Sequence, residues 1–349
     1  MAAVNSEAWR TLYQRAMRIK ELAPWTWMAE DELFGIEDPE SKTPAYVSIS
    51  GALGEHVAVI AYLGDVALHR FLHVQASEGE ARAETILEIR QIQASFEDRE
   101  YLKAEDHRII RELDLKFRGS QAWPCFRSTH PGCVPWFLDG DEVRMMTHVL
   151  EQTEMVVIRA KGNRALLPSL ADGGPLLVRR AETAKAGLSW VEEMRSLPPA
   201  PTLPITTRVS EDMIRRALRH PRAKDAVELD LVMMLDASVH EKNQRPYFPY
   251  ALMLVDGGSG VVLAFDLLSP LPSLEEMWGA VVPALLSRLD GIGFIPSTIR
   301  VRTDIMEFLM KKLAEFLPVK VNRTKTLPKL DVAMRELQAY MGHGRPGGR

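Results

Sequence analysis

The sequence predicts two domains in series: an α+β domain over residues 1–196 and, beyond a proline-rich linker at 197–207, an α/β domain over 208–349 with a mixed five-stranded sheet. Three observations predict it. The apolar runs Leu229–Leu235, Tyr250–Val255 and Val261–Leu268 come first and then alternate with segments of helical spacing, giving the order β-β-β-α-β-α-β-α. Leu197 to Pro204 holds four prolines in eight residues, which enforces a stiff, extended connector. A chain of 349 residues, 46% of them hydrophobic, is long enough for two separate cores.

In the first half, Trp9, Leu12, Tyr13, Ala16, Met17 and Ile19 recur at helical spacing over Ser6–Leu22, and Pro24 stops that helix. Tyr46–Ser50 and Val57–Tyr62 read as a hairpin around Gly51–Gly54, followed by a helix from Asp65 to about Ala76. Thr85–Gln93 is expected as a strand and Lys103–Leu113 as a helix with acids in its first turn. The prolines between Phe117 and Leu138 favour extended segments, and a helix opens at Asp139 or Asp141 and runs through Val149. Met155–Ala160 and Pro175–Arg180 are expected to pair across an Asp172-Gly173-Gly174 turn.

In the second half, a short basic helix over Arg208–His220 precedes strands at 228–238, 248–256 and 260–268. Asp256-Gly257-Gly258-Ser259-Gly260 joins two strands rather than a strand to a helix, so it reads as a turn and not a phosphate cradle. The helix after Ser273 contains Pro283, which should kink or split it near Val281. Strands near 298–302 and 318–322 follow, and Gly342–Arg349 reads as a disordered tail.

A net charge of −4 gives no global basic field of the kind that drives nonspecific nucleic-acid binding. The segment Met1 to Arg18 lacks an apolar signal core, and no run approaches the length of a membrane span. Two cysteines in this length argue for a reducing compartment, so the expectation is a cytoplasmic protein with no membrane association.

The strand–helix order of the second half is similar to that of RNase H-like domains. In such a core, carboxylates on the first strand, the first helix, the end of the fourth strand and the last helix hold two divalent metals. Each place has an acid here: Asp236 in the first strand run, Glu275 and Glu276 after Ser273, Asp304 after Thr298–Val301, and Asp331 in the last helix. Asp236, Glu276, Asp304 and Asp331 are therefore the candidate ligands for Mg or Mn. A structural account stands beside this one. Asp304 is a natural N-cap, and Asp331, Glu275 and Glu276 are ordinary first-turn acids. Only Asp236, inside an apolar strand, resists that account, although Asp230, Met234 and Asp236 would share one face that an open sheet side explains.

Other constellations carry less. Cys125, His130 and Cys133 provide three soft ligands where a structural zinc needs four. His69 and His73 share a helix face without the glutamate of a metalloprotease pattern. Trp25, Trp27, Trp123 and Trp136 sit beside prolines, where they either fill a core or line a groove.

Certain motifs extend through both halves: Pro24-Trp25-Thr26-Trp27-Met28, Tyr46-Val47-Ser48-Ile49-Ser50-Gly51, Phe117-Arg118-Gly119, Pro131-Gly132-Cys133-Val134-Pro135-Trp136 and Leu327-Pro328-Lys329-Leu330-Asp331. Through them the chain resembles a bacterial two-domain family of unknown function. The resemblance implies a shared architecture and transfers no catalytic residue. The expected function is a non-catalytic scaffold for macromolecular binding, with a protein or nucleic-acid partner and no cofactor. The alternatives are a Mg- or Mn-dependent nuclease or phosphodiesterase, and a peptide- or ligand-binding module on the tryptophan–proline corners.

Overall fold

A computed structural model describes residues 6–77, 83–170, 173–184, 187–202, 204–242 and 244–343. The chain divides into two compact units: Met1–His130 with Pro135–Pro201, and Pro131–Val134 with Thr202–Arg349. Both are mixed α and β, each around its own sheet. The segment 131–134, read from sequence as part of the first domain, is held in the second unit by the pairing of Cys133 with Tyr247.

In the first unit, among the described residues, the strands are Phe34–Glu37 (β1), Pro44–Ser50 (β2), Ala58–Leu63 (β3), Gln91–Glu97 (β4), Trp123–Thr129 (β5), Leu176–Ala184 (β6) and Gly187–Arg195 (β7). They run in the order β5-β4-β3-β2-β1-β6-β7, antiparallel throughout except for the parallel pair β1–β6. Alternation along β2 divides its side chains between two cores. Ala45, Val47 and Ile49 join the cluster beneath the helices Ser6–Leu22 (α1) and Gly140–Gly162 (α5), while Tyr46 meets Leu68 and Phe71 of the helix Asp65–Ala76 (α2).

Two sequence expectations fail here for identifiable reasons. Thr85–Gln93 is not a strand: Ala83–Leu87 forms a short helix (α3), and the strand begins at Gln91, where Ile92, Ala94 and Phe96 alternate into the core. Met155–Ala160 is not a strand either, because α5 continues through it. Asp139 accepts from the Glu142 N–H at 2.9 Å while Glu142 accepts from the Asp139 N–H at 2.9 Å, a reciprocal cap that starts the helix. Buried Val143, Met146, Val149, Leu150, Thr153, Val156, Val157 and Ala160 then carry one stripe down its length. The antiparallel partner of β6 is β7, and Asp172 of the expected turn lies outside the described residues. The helix Ala104–Glu112 (α4) falls where its pattern places it.

In the second unit, Ala226–Met233 (β8), Tyr250–Asp256 (β9), Val262–Leu268 (β10), Thr298–Val301 (β11) and Lys320–Arg323 (β12) form a sheet of order β10-β9-β8-β11-β12. The first three strands are antiparallel; β11 lies parallel to β8, and β12 parallel to β11. Among the described residues four helices accompany them: Glu211–Ala217 (α6), Leu274–Ile292 (α7), Asp304–Ala314 (α8) and Pro328–His343 (α9). Helix α9 covers β8 and β9 through Leu330, Ala333 and Met334 in one cluster with Val232 of β8 and Ala251, Met253 and Val255 of β9.

Here too the structure departs from the sequence pattern. Strand β8 stops at Met233, and Leu235 and Asp236 lie in a turn. The β9–β10 turn, by contrast, falls where it was expected, closed by the Asp256 carboxylate, which accepts from the Ser259 N–H at 2.6 Å. Pro283 does not split α7. Four residues before it stands Gly279, whose absent side chain lets the Thr206 carbonyl approach the helix. The expected tail lies outside the described residues from position 344 onward, while Gly342 and His343 belong to α9.

Candidate functional site

The acids that matter most in the second unit are two that sequence order did not select. Glu228 and Asp230 sit two apart on β8 and so share one face, and that face is covered by α9 rather than open. Glu228 is 1% exposed and Asp230 fully buried. A buried carboxylate is costly unless charge and hydrogen bonds answer it, and here each is answered differently.

Glu228 serves the start of α9. That helix opens with Pro328, which has no N–H to leave unsatisfied, and the next two amides, of Lys329 and Leu330, each donate to Glu228 Oε2 at 2.9 Å. The carboxylate thus meets the positive end of the helix, from a strand 101 residues away in the chain. Asp230 accepts from Nε of Arg302, which follows β11 directly. The same guanidinium donates through Nη1 to Asp331 Oδ1 of α9 at 2.6 Å. The Arg302 side chain is 10% exposed, Asp230 0% and Asp331 39%, so the bridge runs from the interior to the surface. Burial works against the charge of Arg302, but the neighbouring Asp230 and Asp331 outweigh it and hold the guanidinium above its usual range. A planar fork between two carboxylates suits arginine better than lysine.

Of the candidate ligands, Asp331 enters this bridge. Asp236 is exposed in the turn past β8, outside the strand in which the sequence placed it. Glu276 lies in the first turn of α7, its N–H donated to the Ser273 hydroxyl at 3.3 Å, with Glu275 beside it. Asp304 is paired with Arg323 and is not the cap of α8; the Thr303 hydroxyl takes that place by accepting from the Met306 N–H at 3.3 Å. The four ligands do not form one centre. Among the described residues, no three His, Cys, Asp or Glu side chains are grouped to hold a metal ion. The reason is local: the strand ends three residues before Asp236, and arginines engage the carboxylates of Asp304 and Asp331.

The buried polar groups of the first unit are structural pairs. Arg127 meets Asp106 with both nitrogens, at 2.8 and 2.6 Å, with both side chains buried. Burial would raise the Glu142 carboxyl. His130, the Ser128 hydroxyl, the Asp139 N–H and Arg90 at 2.8 Å together override it and hold the group down at about 2. Cys125 is a buried free thiol, pushed up to about 12 chiefly by that burial, and Cys133 is likewise free and buried. His69 Nε2 lies 2.8 Å from the Pro198 carbonyl. Trp25, Trp27 and Trp123 pack partly buried against the core of the unit, and Arg99 stacks over Trp123. Trp136 lies against Phe137 with Lys103 over its ring.

Comparison with known families agrees with this two-part construction. Residues 9–179 match a domain of unknown function (DUF7309), and residues 213–338 match a second domain of unknown function (DUF6930). The two domains cover most of the chain and hold the motifs through which the resemblance was read, and neither description assigns an activity. No curated protein and no solved structure matches the chain. Among the described residues, no helix is long and apolar enough to cross a membrane.

Proposed function

We propose that the second unit is an RNase H-like domain in which an arginine bridge stands where metal-binding carboxylates would converge, and that it works as a non-catalytic scaffold for macromolecular recognition. The order of the sheet supports the fold reading: three antiparallel strands, then two parallel ones reached through helices, with the first strand central and a last helix across it. The observation that carries the functional reading is Arg302. Asp230 on the first strand, Arg302 just after the fourth and Asp331 on the last helix occupy three of the four places at which such a core keeps its acids, and the one after the fourth strand holds a cation. Two free, buried thiols suit a cytoplasmic setting.

The test uses the full chain with single- and double-stranded DNA and RNA in Mg²⁺ and in Mn²⁺. The expected result is cleavage no faster than that of the Asp331→Asn variant, together with a melting temperature unchanged by either cation. Divalent-dependent turnover that Asp331→Asn, Asp304→Asn or Asp236→Asn abolishes would overturn the proposal in favour of a metal-dependent nuclease.

A further inference from the structure

The two terminal strands of the second sheet are finished in opposite ways. A terminal strand exposes unpaired N–H and C=O groups, and proteins normally guard it with charge. Strand β12 is guarded so: Lys320 lies on it and Lys325 just beyond, with Arg323 between them held by Asp304, and all three are exposed. Strand β10 is not. Its alternation is inverted, with Phe265 36% and Leu267 58% exposed, and Val261 and Val262 at its start exposed as well. The one charged residue on it, Asp266, is neutralised by Arg288 of α7. Register sets Phe265 opposite Met253 and Leu267 opposite Ala251, so both lie on the α9 face, in the row beyond the two strands that α9 covers. A bulge between Val262 and Ala264 leaves Ala264–Leu268 in regular register.

We propose that β10 is a dimerisation edge, and that its occupant is β10 of a second copy of this chain, paired antiparallel about a two-fold axis. Register and charge both suit that occupant. With the axis at Phe265, each Phe265 meets its symmetry mate, Leu263 faces Leu267, and Ala264 faces Asp266, so no like charges oppose one another. Pairing of β12 with a second β12 would crowd Lys320 and Arg323 of each copy together, and that edge stays closed. The arrangement is isologous, so it ends at a dimer and does not grow into a filament. It also joins the exposed Phe265 and Leu267 of both copies into one apolar strip, which accounts for apolar residues at positions that would otherwise be polar. The inference rests on the sheet alone and is independent of the arginine bridge.

Sedimentation velocity of the full chain, from low to high micromolar concentration, tests it. Wild type is expected to pass reversibly from monomer to dimer. Leu267→Lys and Phe265→Lys, both at exposed positions, should weaken association by about tenfold or more, a change of about 1.4 kcal/mol, while Lys320→Glu should leave it unchanged. Hydrogen exchange on wild type provides a measurement that no variant's folding can confuse: amides of residues 262–268 should gain protection as concentration rises. A wild-type chain that stays monomeric throughout, or a dimer indifferent to both lysine substitutions, overturns the proposal; the first outcome would leave the strand to a different protein.

Discussion

Replacing Arg302 by methionine tests the bridge most directly, because the three members differ so much in exposure. Removing the guanidinium leaves Asp230, whose side chain has no solvent access, without its cation. Breaking a buried ion pair from one side costs about 3–5 kcal/mol, since the surviving charge is neither solvated nor paired. Asp331 is 39% exposed, so its loss should cost no more than about 1 kcal/mol, the range of a surface pair. For a unit of this size each kcal/mol shifts the melting temperature by about 2–4 °C, so Arg302→Met should lower it by about 6–20 °C. The assay must report the second unit alone. Trp278 is the one tryptophan of seven that lies beyond residue 202, so whole-protein fluorescence would follow mainly the first unit. Hydrogen exchange of peptides spanning Ala226–Met233, followed through a urea titration, avoids that. The double variant Asp230→Asn with Arg302→Met should recover a large part of the loss, because the stranded charge is gone. The reasoning is refuted if Arg302→Met stays within about 1 kcal/mol of wild type, or if Asp331→Asn costs as much.

Two further perturbations have outcomes fixed by geometry. The folded-state carboxyl of Glu142 lies below its ordinary value, so the stability it contributes is complete above about pH 4.5 and is lost as pH falls toward about 2. The displacement is worth about 3 kcal/mol at neutral pH, and acid titration of wild type against Glu142→Gln should show a steeper loss for wild type across that window; parallel profiles would contradict it. Gly279→Ala should destabilise α7 although alanine is the better helix former, because a Cβ there would lie 2.3 Å from the Thr206 carbonyl oxygen. A cost of about 1–3 kcal/mol by urea titration is expected, and a gain would show that the approach relaxes freely.

Much of the fold was legible because local pattern and tertiary role agree in these segments. The helix at Asp65–Ala76 and the apolar runs of β9 and β10 announce themselves by period and by the glycines and prolines around them. The failures share a cause. Met155–Ala160 is apolar and short enough to pass for a strand, and only its continuity with the stripe begun at Val143 marks it as helix. Pro283 suggests a break because the rule is local, whereas nine buried residues along α7 hold the helix together across it.

The buried acids Glu228 and Asp230 were passed over for a related reason: acids were weighed by chain order rather than by face. In Val227-Glu228-Leu229-Asp230-Leu231-Val232, two acids alternate with apolar residues in a strand that two strands flank and a helix covers, a pattern that demands cationic or helix-terminal partners whichever face is buried. Arg302, at the end of β11 and two positions before Asp304, was the residue to ask about. Its placement bears on chemistry as well as stability. Two unit charges 4 Å apart at an effective dielectric of about 20 interact by about 4 kcal/mol, so a divalent ion at that distance from the guanidinium would be repelled by about 8 kcal/mol. To seat a metal on Asp230 and Asp331 the chain would have to swing Arg302 out, and the cost of stranding it is the same buried-charge penalty that the methionine variant measures from the other side. If the bridge acts as proposed, stability of the sheet and silence toward divalent ions are one property, and a variant that separated them would show that the bridge is not their common source.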